Sequence, residues 1–282
     1  MRFRRLGPIG AEIPVVELDG TTRDLRPITP DIDGAFLGGD PVGAVRAALE
    51  SLPVLEEPGA IRVGSPIARP GAVYCIGMNY AAHARESGSA PPERIVVFMK
   101  PPHTLAGPYD DFVAPAGMPK LDWEVELAVV IGKRAWQLSD SEDPIDHVAG
   151  YAVANDLSER YWQLEVSGGQ WSKGKSGPGF LPLGPDLVPA SELDPGDLRL
   201  QSRVNGEHRQ DSRTSDLIFG VATIVRDLSQ FTVLEPGDVV LTGTPEGVGL
   251  SGRFPYLSPG DVMELEIEHL GLQRQRVVKA GE

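Results

Sequence analysis

From Ala72 onward the chain alternates short apolar runs with turns. Residues 94–99, 127–131, 239–242 and 262–267 are mainly apolar, 198–204 carries apolar residues at every second or fourth position, and all are of strand length. Between them stand Pro195-Gly196-Asp197, Asn205-Gly206, Pro236-Gly237-Asp238 and Pro259-Gly260-Asp261, residue types that close strands. The Pro-Gly-Asp copies are irregularly spaced, so they read as recurring turn chemistry and not as a solenoid repeat. One helix interrupts the pattern, at 215–231, with Leu217, Ile218, Val221, Ile224, Val225 and Leu228 on one stripe. Ahead of this region, residues 13–18 and 21–25 flank Asp19-Gly20 in the form of a hairpin. Residues 42–52 then carry apolar positions at helical spacing, and Pro58, Pro66 and Pro70 mark a boundary. The pattern predicts a β-rich α+β protein, with a small N-terminal domain at 1–68 and a larger domain at 69–282. The first is expected to pack on the second without contributing chemistry.

Composition narrows the partners. The net charge of −14 over 282 residues argues against nucleic acid or an anionic membrane surface. It leaves an anionic small molecule open, because the charge inside a cleft can oppose the charge of the whole. Cys75 is the single cysteine, so no intrachain disulfide can form, and a reducing cytoplasm is the expected location. Arg2, Arg4 and Arg5 are followed by no apolar segment of the secretory kind, and no run of apolar residues is long enough for a membrane helix.

Candidate chemistry begins at Leu121-Asp122-Trp123-Glu124-Val125-Glu126-Leu127, where acids fall on every second residue. In a strand, Glu124 and Glu126 project to one face and repel unless a cation lies between them. A hard divalent ion would suit them; a charged, solvated strand edge is the plainer reading of the segment alone. Asp156, after the run 150–154, offers a third carboxylate, or else caps a turn. His83 and Glu86 stand three apart, so on a helix they share a face, as a general-base pair or as a surface ion pair. Gly88 and Pro91-Pro92 then suggest a mobile loop suited to a lid. Arg160 and Gln163 lie about one turn apart and could both meet an anion. The segment 169–180 is glycine-rich with Lys173 and Lys175, but lacks the spacing of a nucleotide phosphate loop. Thr242-Gly243-Thr244-Pro245 is a tight turn whose amides and Thr244 hydroxyl could hold a carboxylate.

Taken in order, these segments resemble the fumarylacetoacetate hydrolase superfamily. The resemblance runs over about residues 70–280. It rests on Ile76-Gly77-Met78-Asn79-Tyr80 with His83 and Glu86, on Asp122-Trp123-Glu124-Val125-Glu126-Leu127, and on Gly150-Tyr151 through Asn155-Asp156. Gly174-Lys175-Ser176, Val204-Asn205-Gly206-Glu207 and Leu234-Glu235-Pro236-Gly237-Asp238 leading into Thr242-Gly243-Thr244-Pro245 complete it. The length of the N-terminal segment and the run 168–175 look most like members labelled ureidoglycolate lyase or 2,4-diketo-3-deoxy-sugar-acid hydrolase. The resemblance implies a catalytic domain shaped as a mixed β-roll, assembled as a homodimer. It also implies Mg²⁺ (Mn²⁺ or Ca²⁺ being possible) on Glu124, Glu126 and Asp156, and a lid dyad of His83 and Glu86. Lys175 would stand beside the metal, and Arg160, Gln163 and Thr244 would contact substrate. Two departures matter: Gly177-Pro178-Gly179 follows Ser176 where members often carry an aromatic or small residue and an Asp, which puts the wall beside Lys175 in question, and Leu250 to Leu257 is also a stretch where members differ.

The implied activity is metal-dependent hydrolysis of a carbon–carbon bond in a small 2,4-dioxo acid, an acylpyruvate, through an enolate. An oxaloacetate-type decarboxylase or a dioxo-acid isomerase would use the same ligands and is the alternative.

Overall fold

A computed structural model describes residues 1–86, 88 and 90–281. Its central sheet has six strands, in the order Val188–Pro189, Val148–Asn155, Val125–Ile131, Val239–Leu241, Val73–Gly77 and Val96–Lys100. All neighbours are antiparallel except Val239–Leu241 and Val73–Gly77. Val125–Ile131 is buried along its whole length, which is why its sequence reads as a nearly unbroken apolar run. Val125, Leu127, Val129 and Ile131 enter one core; Ala128 and Val130 enter another on the opposite face.

The first core lies between this sheet and a second, five-stranded one. That sheet runs Glu207–Arg213, Arg199–Val204, Val262–Ile267, Gly271–Lys279 and Phe112–Ala114, the last pair being parallel. Asn205 and Gly206, both at positive φ, make the two-residue turn between its first two strands, as the Asn-Gly pair predicts. The fold is therefore sheet-rich with few helices, as the pattern of short runs predicts.

The second core is shared with the N-terminal segment. Arg2–Leu6, Ile13–Leu18 and Thr21–Asp24 form an antiparallel sheet, with the expected turn at Asp19-Gly20. The helix Pro41–Ala48 is capped by Asp40, whose carboxylate accepts from the Gly43 amide at 2.8 Å. Phe3, Val16, Leu25, Leu37 and Val45 pack with Val73, Cys75, Ala128, Val130 and Val239 of the central sheet.

The long helix expected at 215–231 is shorter. Thr214–Asp216 is a single 3-10 turn, and the α-helix runs Val221–Ser229 from Gly220. Leu217 instead bridges to Tyr80, and the amides of Ile218 and Phe219 bond the carbonyl and side-chain oxygens of Asn79, each at 2.8 Å. Those amides cannot then serve a helix. Val221, Ile224, Val225 and Leu228 keep the buried stripe. The lid expected around Gly88 includes Ser87 and Ser89, which lie outside the described residues.

Candidate active site

The site sits at one edge of the central sheet. Because neighbours there mostly run antiparallel, the start of Val125–Ile131 meets the ends of Val148–Asn155, Val239–Leu241 and Val73–Gly77 at that edge. The register Ala154↔Glu126 and Asn155↔Val125 brings Asp156 alongside Glu124, whose carbonyl accepts from the Asp156 amide at 3.0 Å. Glu124, Glu126 and Asp156 each offer a carboxylate oxygen within 4.8 Å of the others, and all three are buried. The alternation read from the sequence thus brings Glu124 and Glu126 together, inside the protein and away from any solvated edge.

Buried cations surround the acids. Lys175 donates to Glu124 Oε2 at 2.8 Å and to Asp156 Oδ2 at 2.5 Å. Arg160 donates from Nη2 to Glu124 Oε1 at 2.6 Å, from Nε to Asp122 Oδ2 at 2.7 Å and from Nη1 to Gln163 Oε1 at 2.8 Å. Burial alone would push Glu124 up, but Lys175 and Arg160 outweigh it and hold its carboxyl well below the usual range. Glu126 is the opposite case. Burial, Asp156 and Glu124 all push it well up, and among the described residues it accepts a hydrogen bond from the Gly243 amide alone, at 2.6 Å. A carboxylate triad in which one member still lacks a cationic partner is a donor set that suits a hard divalent ion. Glu124, Glu126 and Asp156 fit such an ion.

His83 and Glu86 lie on the short helix Ala81–Glu86 and face the same cavity. Their closest approach, Nδ1 to Oε2, is 3.8 Å, longer than a hydrogen bond. His83 Nδ1 and Glu86 Oε1 are both buried without a hydrogen-bond partner. Glu86 Oε2 accepts from the Gly247 amide at 2.9 Å. Burial would raise the Glu86 carboxyl, yet His83, the Gly247 amide and Arg253 hold it below its ordinary value. The helix is aimed by Asn79, whose amide donates to Thr242 O at 2.8 Å and Phe219 O at 3.0 Å. Met78, just before it, adopts φ +54°, a left-handed conformation uncommon for a side chain of that size and found where a site constrains the backbone.

Gln163 and Thr244 also line the cavity. The Thr244 hydroxyl donates to Val125 O at 2.7 Å and accepts from Gln210 at 2.7 Å, so its proton is committed to the backbone. In the same turn it is the Gly243 amide that holds a carboxylate, that of Glu126. Lys175 follows the 3-10 turn Trp171–Gly174, where a Cβ on Gly174 would collide with Glu159 O and with Gln163. Gly177, Pro178 and Gly179 do not line this cavity; Pro178 and Gly179 border a separate groove with the N-terminal segment. This departure from the family pattern therefore lies outside the residues that line this cavity.

Two buried residues escape a reading of the sequence. Lys100, 1% exposed, donates to Asp156 Oδ1 at 2.5 Å and to Leu157 O at 3.1 Å; burial lowers its pKa and Asp156 opposes the fall. Its only signal is its place at the end of an apolar run before Pro101-Pro102. Asp122 accepts from Arg160 and from the amides of Trp123, Gly249 and Leu250 at 2.7–3.0 Å. It holds Arg160 against the turn at Leu250, and the alternation Asp122, Glu124, Glu126 already placed it on the same side as the acids.

A buried acid triad, two buried lysines and a His–Glu couple facing the cavity at one edge of a β-roll define the class. The chain belongs to the fumarylacetoacetate hydrolase family: residues 72–278 match the family described as fumarylacetoacetate (FAA) hydrolase C-terminal. Its relatives are enzymes. A 2,4-didehydro-3-deoxy-L-rhamnonate hydrolase from Sphingomonas sp. (strain SKA58) is 43% identical over 282 residues, covering 98% of this chain and 96% of the relative. Oxaloacetate tautomerase FAHD2A, mitochondrial, from Bos taurus is 43% identical over 258 residues, covering 90% of this chain and 82% of the relative. Among solved structures, maleylpyruvate hydrolase from Sphingobium sp. SYK-6, in complex with manganese(II) ion and pyruvate, superposes with a TM-score of 0.80 at 29% identity, covering 99% of each chain. No helix among the described residues is long and apolar enough to cross a membrane.

Proposed function

We propose that this protein hydrolyses the carbon–carbon bond between C3 and C4 of a 2,4-dioxo acid, in the presence of Mg²⁺ or a similar divalent ion. The observation that carries the reading is a pair of buried atoms without a hydrogen-bond partner, His83 Nδ1 and Glu86 Oε1, facing the same cavity as Glu124 and Glu126. A buried polar atom without a partner is costly, and a water molecule bound between these two would relieve both. A divalent ion on Glu124, Glu126 and Asp156 would supply Lewis-acid polarisation of the oxo-acid end of the substrate.

The residues of the chain supply the rest. His83, with Glu86 stabilising its charge, takes a proton from the water as its oxygen adds to C4. The C3–C4 bond then breaks, its electron pair passing into a pyruvate enolate, and C4 leaves as a carboxylic acid. Lys175 is kept cationic by Asp156 and Glu124 although burial opposes this, so it can offset the enolate charge. The proton returned to C3 completes pyruvate. Arg160 and Gln163 hold the carboxylate side of the pocket in shape, and Thr244 fixes the turn that carries Gly243. A homodimer is part of the same proposal.

Decarboxylation or tautomerisation of an oxaloacetate-type acid would pass through the same enolate, and the tautomerase relative keeps that reading second. The dyad, with two buried atoms that lack a hydrogen-bond partner, favours hydrolysis, because of these reactions only hydrolysis consumes a water. The test is pyruvate release from acetylpyruvate and from oxaloacetate with Mg²⁺, with and without EDTA. Chelator-sensitive release of pyruvate and acetate from acetylpyruvate is the expected result. Turnover of oxaloacetate alone would replace the hydrolase with the second reading.

A further inference from the structure

Resting on that reading, we infer that the acyl end of the substrate is short, apolar and uncharged, so that the protein takes monocarboxylic acylpyruvates and discriminates against dioxo acids carrying a second, terminal carboxylate. The cavity holds about 240 Å³, less than a pocket for a drug-sized ligand. Its charged groups gather at the triad and the dyad. Gln163, bonded to Arg160, and Thr244 add polar lining, and apart from Gly77 the rest of the wall is Ile76, Met78, Phe98, Leu164, Trp171 and Leu250.

That wall is fixed in place. Phe98 and Trp171 meet edge to face at 5.7 Å between ring centroids, and the Trp171 ring lies over Gly77, where a Cβ would collide with it. Neither the rings nor the aliphatic side chains offer a carboxylate a charged hydrogen bond.

The cations are already committed. Arg160 and Lys175 are the cationic side chains among the described residues that line the cavity, His83 aside. Each of the three Arg160 nitrogens has a protein acceptor in Asp122, Glu124 or Gln163. The Lys175 ammonium is shared between Glu124 and Asp156, and it sits 5.0 Å from the centre of the Phe98 ring. His83 stands over Glu86. A substrate anchored at the triad by its oxo-acid end therefore lays its tail against Phe98, Trp171 and Leu164. A carboxylate at the end of that tail would shed water against an apolar wall, and Arg253 at the rim, 3.8 Å from Glu86 Oε1, is already engaged by that carboxylate and by the Phe254 ring. A short alkyl group would bury apolar surface there.

The contrast is measured by calorimetry with the full chain and Mg²⁺, using 2-oxohexanoate and 2-oxoadipate. The two differ by a terminal carboxylate, and neither has the 4-oxo group that hydrolysis needs. The monoacid is expected to bind at least ~10-fold more tightly. Leu164→Arg, at a half-exposed position where a long side chain can reach water, is expected to narrow or reverse that ratio. Equal or tighter binding of the diacid by the unaltered protein would overturn the inference, as would failure of both acids to bind. A folded Leu164→Arg that leaves the ratio unchanged would also count against it, and Leu250→Arg repeats this arm if the first variant does not fold. Because neither ligand turns over, a failed hydrolysis assay with this contrast intact removes the hydrolase reading alone.

Discussion

Glu124 is bonded to Arg160 and Lys175, whereas Glu126, among the described residues, is bonded only to a backbone amide, and the same deletion therefore means different things at the two positions. Glu126→Gln keeps an acceptor for Gly243 and removes only the charge. It is expected to weaken Mg²⁺ or Mn²⁺ binding by at least ~100-fold in calorimetry while the unfolding temperature stays close to that of the unaltered protein. Glu124→Ala leaves two buried cations short of a partner, so it is expected to lose about 3–5 kcal/mol of stability as well as the metal. Equal metal affinity in Glu126→Gln would remove it from the ligand set. At His83, which contacts the cavity without bonding any ligand, His83→Ala should lower kcat for acetylpyruvate by ~10²–10⁴ with KM nearly unchanged. A rise in KM at constant kcat would make His83 a binding group and not the base.

The helix Ala81–Glu86 is six residues long, too short to hold its own direction, and the dyad it carries is aimed by the segment before it. Asn79, fully buried, ties that segment to Thr242 and to Phe219 through three hydrogen bonds. Asn79→Ala should cost about 2–3 kcal/mol and lower the unfolding temperature by roughly 5–10 °C. It should also reduce kcat more than a surface variant of equal instability, since the helix would lose its anchor. The same contact explains why the helical stripe at 215–231 overstates the helix: Leu217 to Phe219 pair with Asn79 and Tyr80, and a tertiary partner outbids local periodicity.

At the scale of the whole molecule, segment 1–68 covers one face of the central sheet. Without it, Val73, Cys75, Ala128, Val130, Val239 and Leu241 lose the cover provided by Phe3, Val16, Leu25, Leu37 and Val45. A chain beginning at residue 69 is expected to bind 1-anilinonaphthalene-8-sulfonate and to unfold without a sharp transition. A fragment that unfolds cooperatively and keeps its metal affinity would instead make 69–282 an independent domain. The boundary at Pro58, Pro66 and Pro70 is thus a break in pattern, while burial runs across it.

What the sequence determined by itself was everything carried by local pattern. The short strands and their Asn-Gly and Asp-Gly turns follow from period-two burial and from positive φ, and so does the projection of Glu124 and Glu126 to one side. The ordered motifs of the family add His83, Glu86 and Lys175, which the fold brings to one cavity, and Asp156, which it sets beside Glu124 and Lys175. Tertiary structure alone decided the rest, because it depends on strand order and register. Pairing Ala154 with Glu126 sets Asp156 beside Glu124; the end of Val96–Lys100 delivers Lys100 to that carboxylate; and Asp122 becomes the tie between Arg160 and the turn at Leu250. No spacing along the chain encodes those contacts, since each joins residues brought together only when the sheet closes its core.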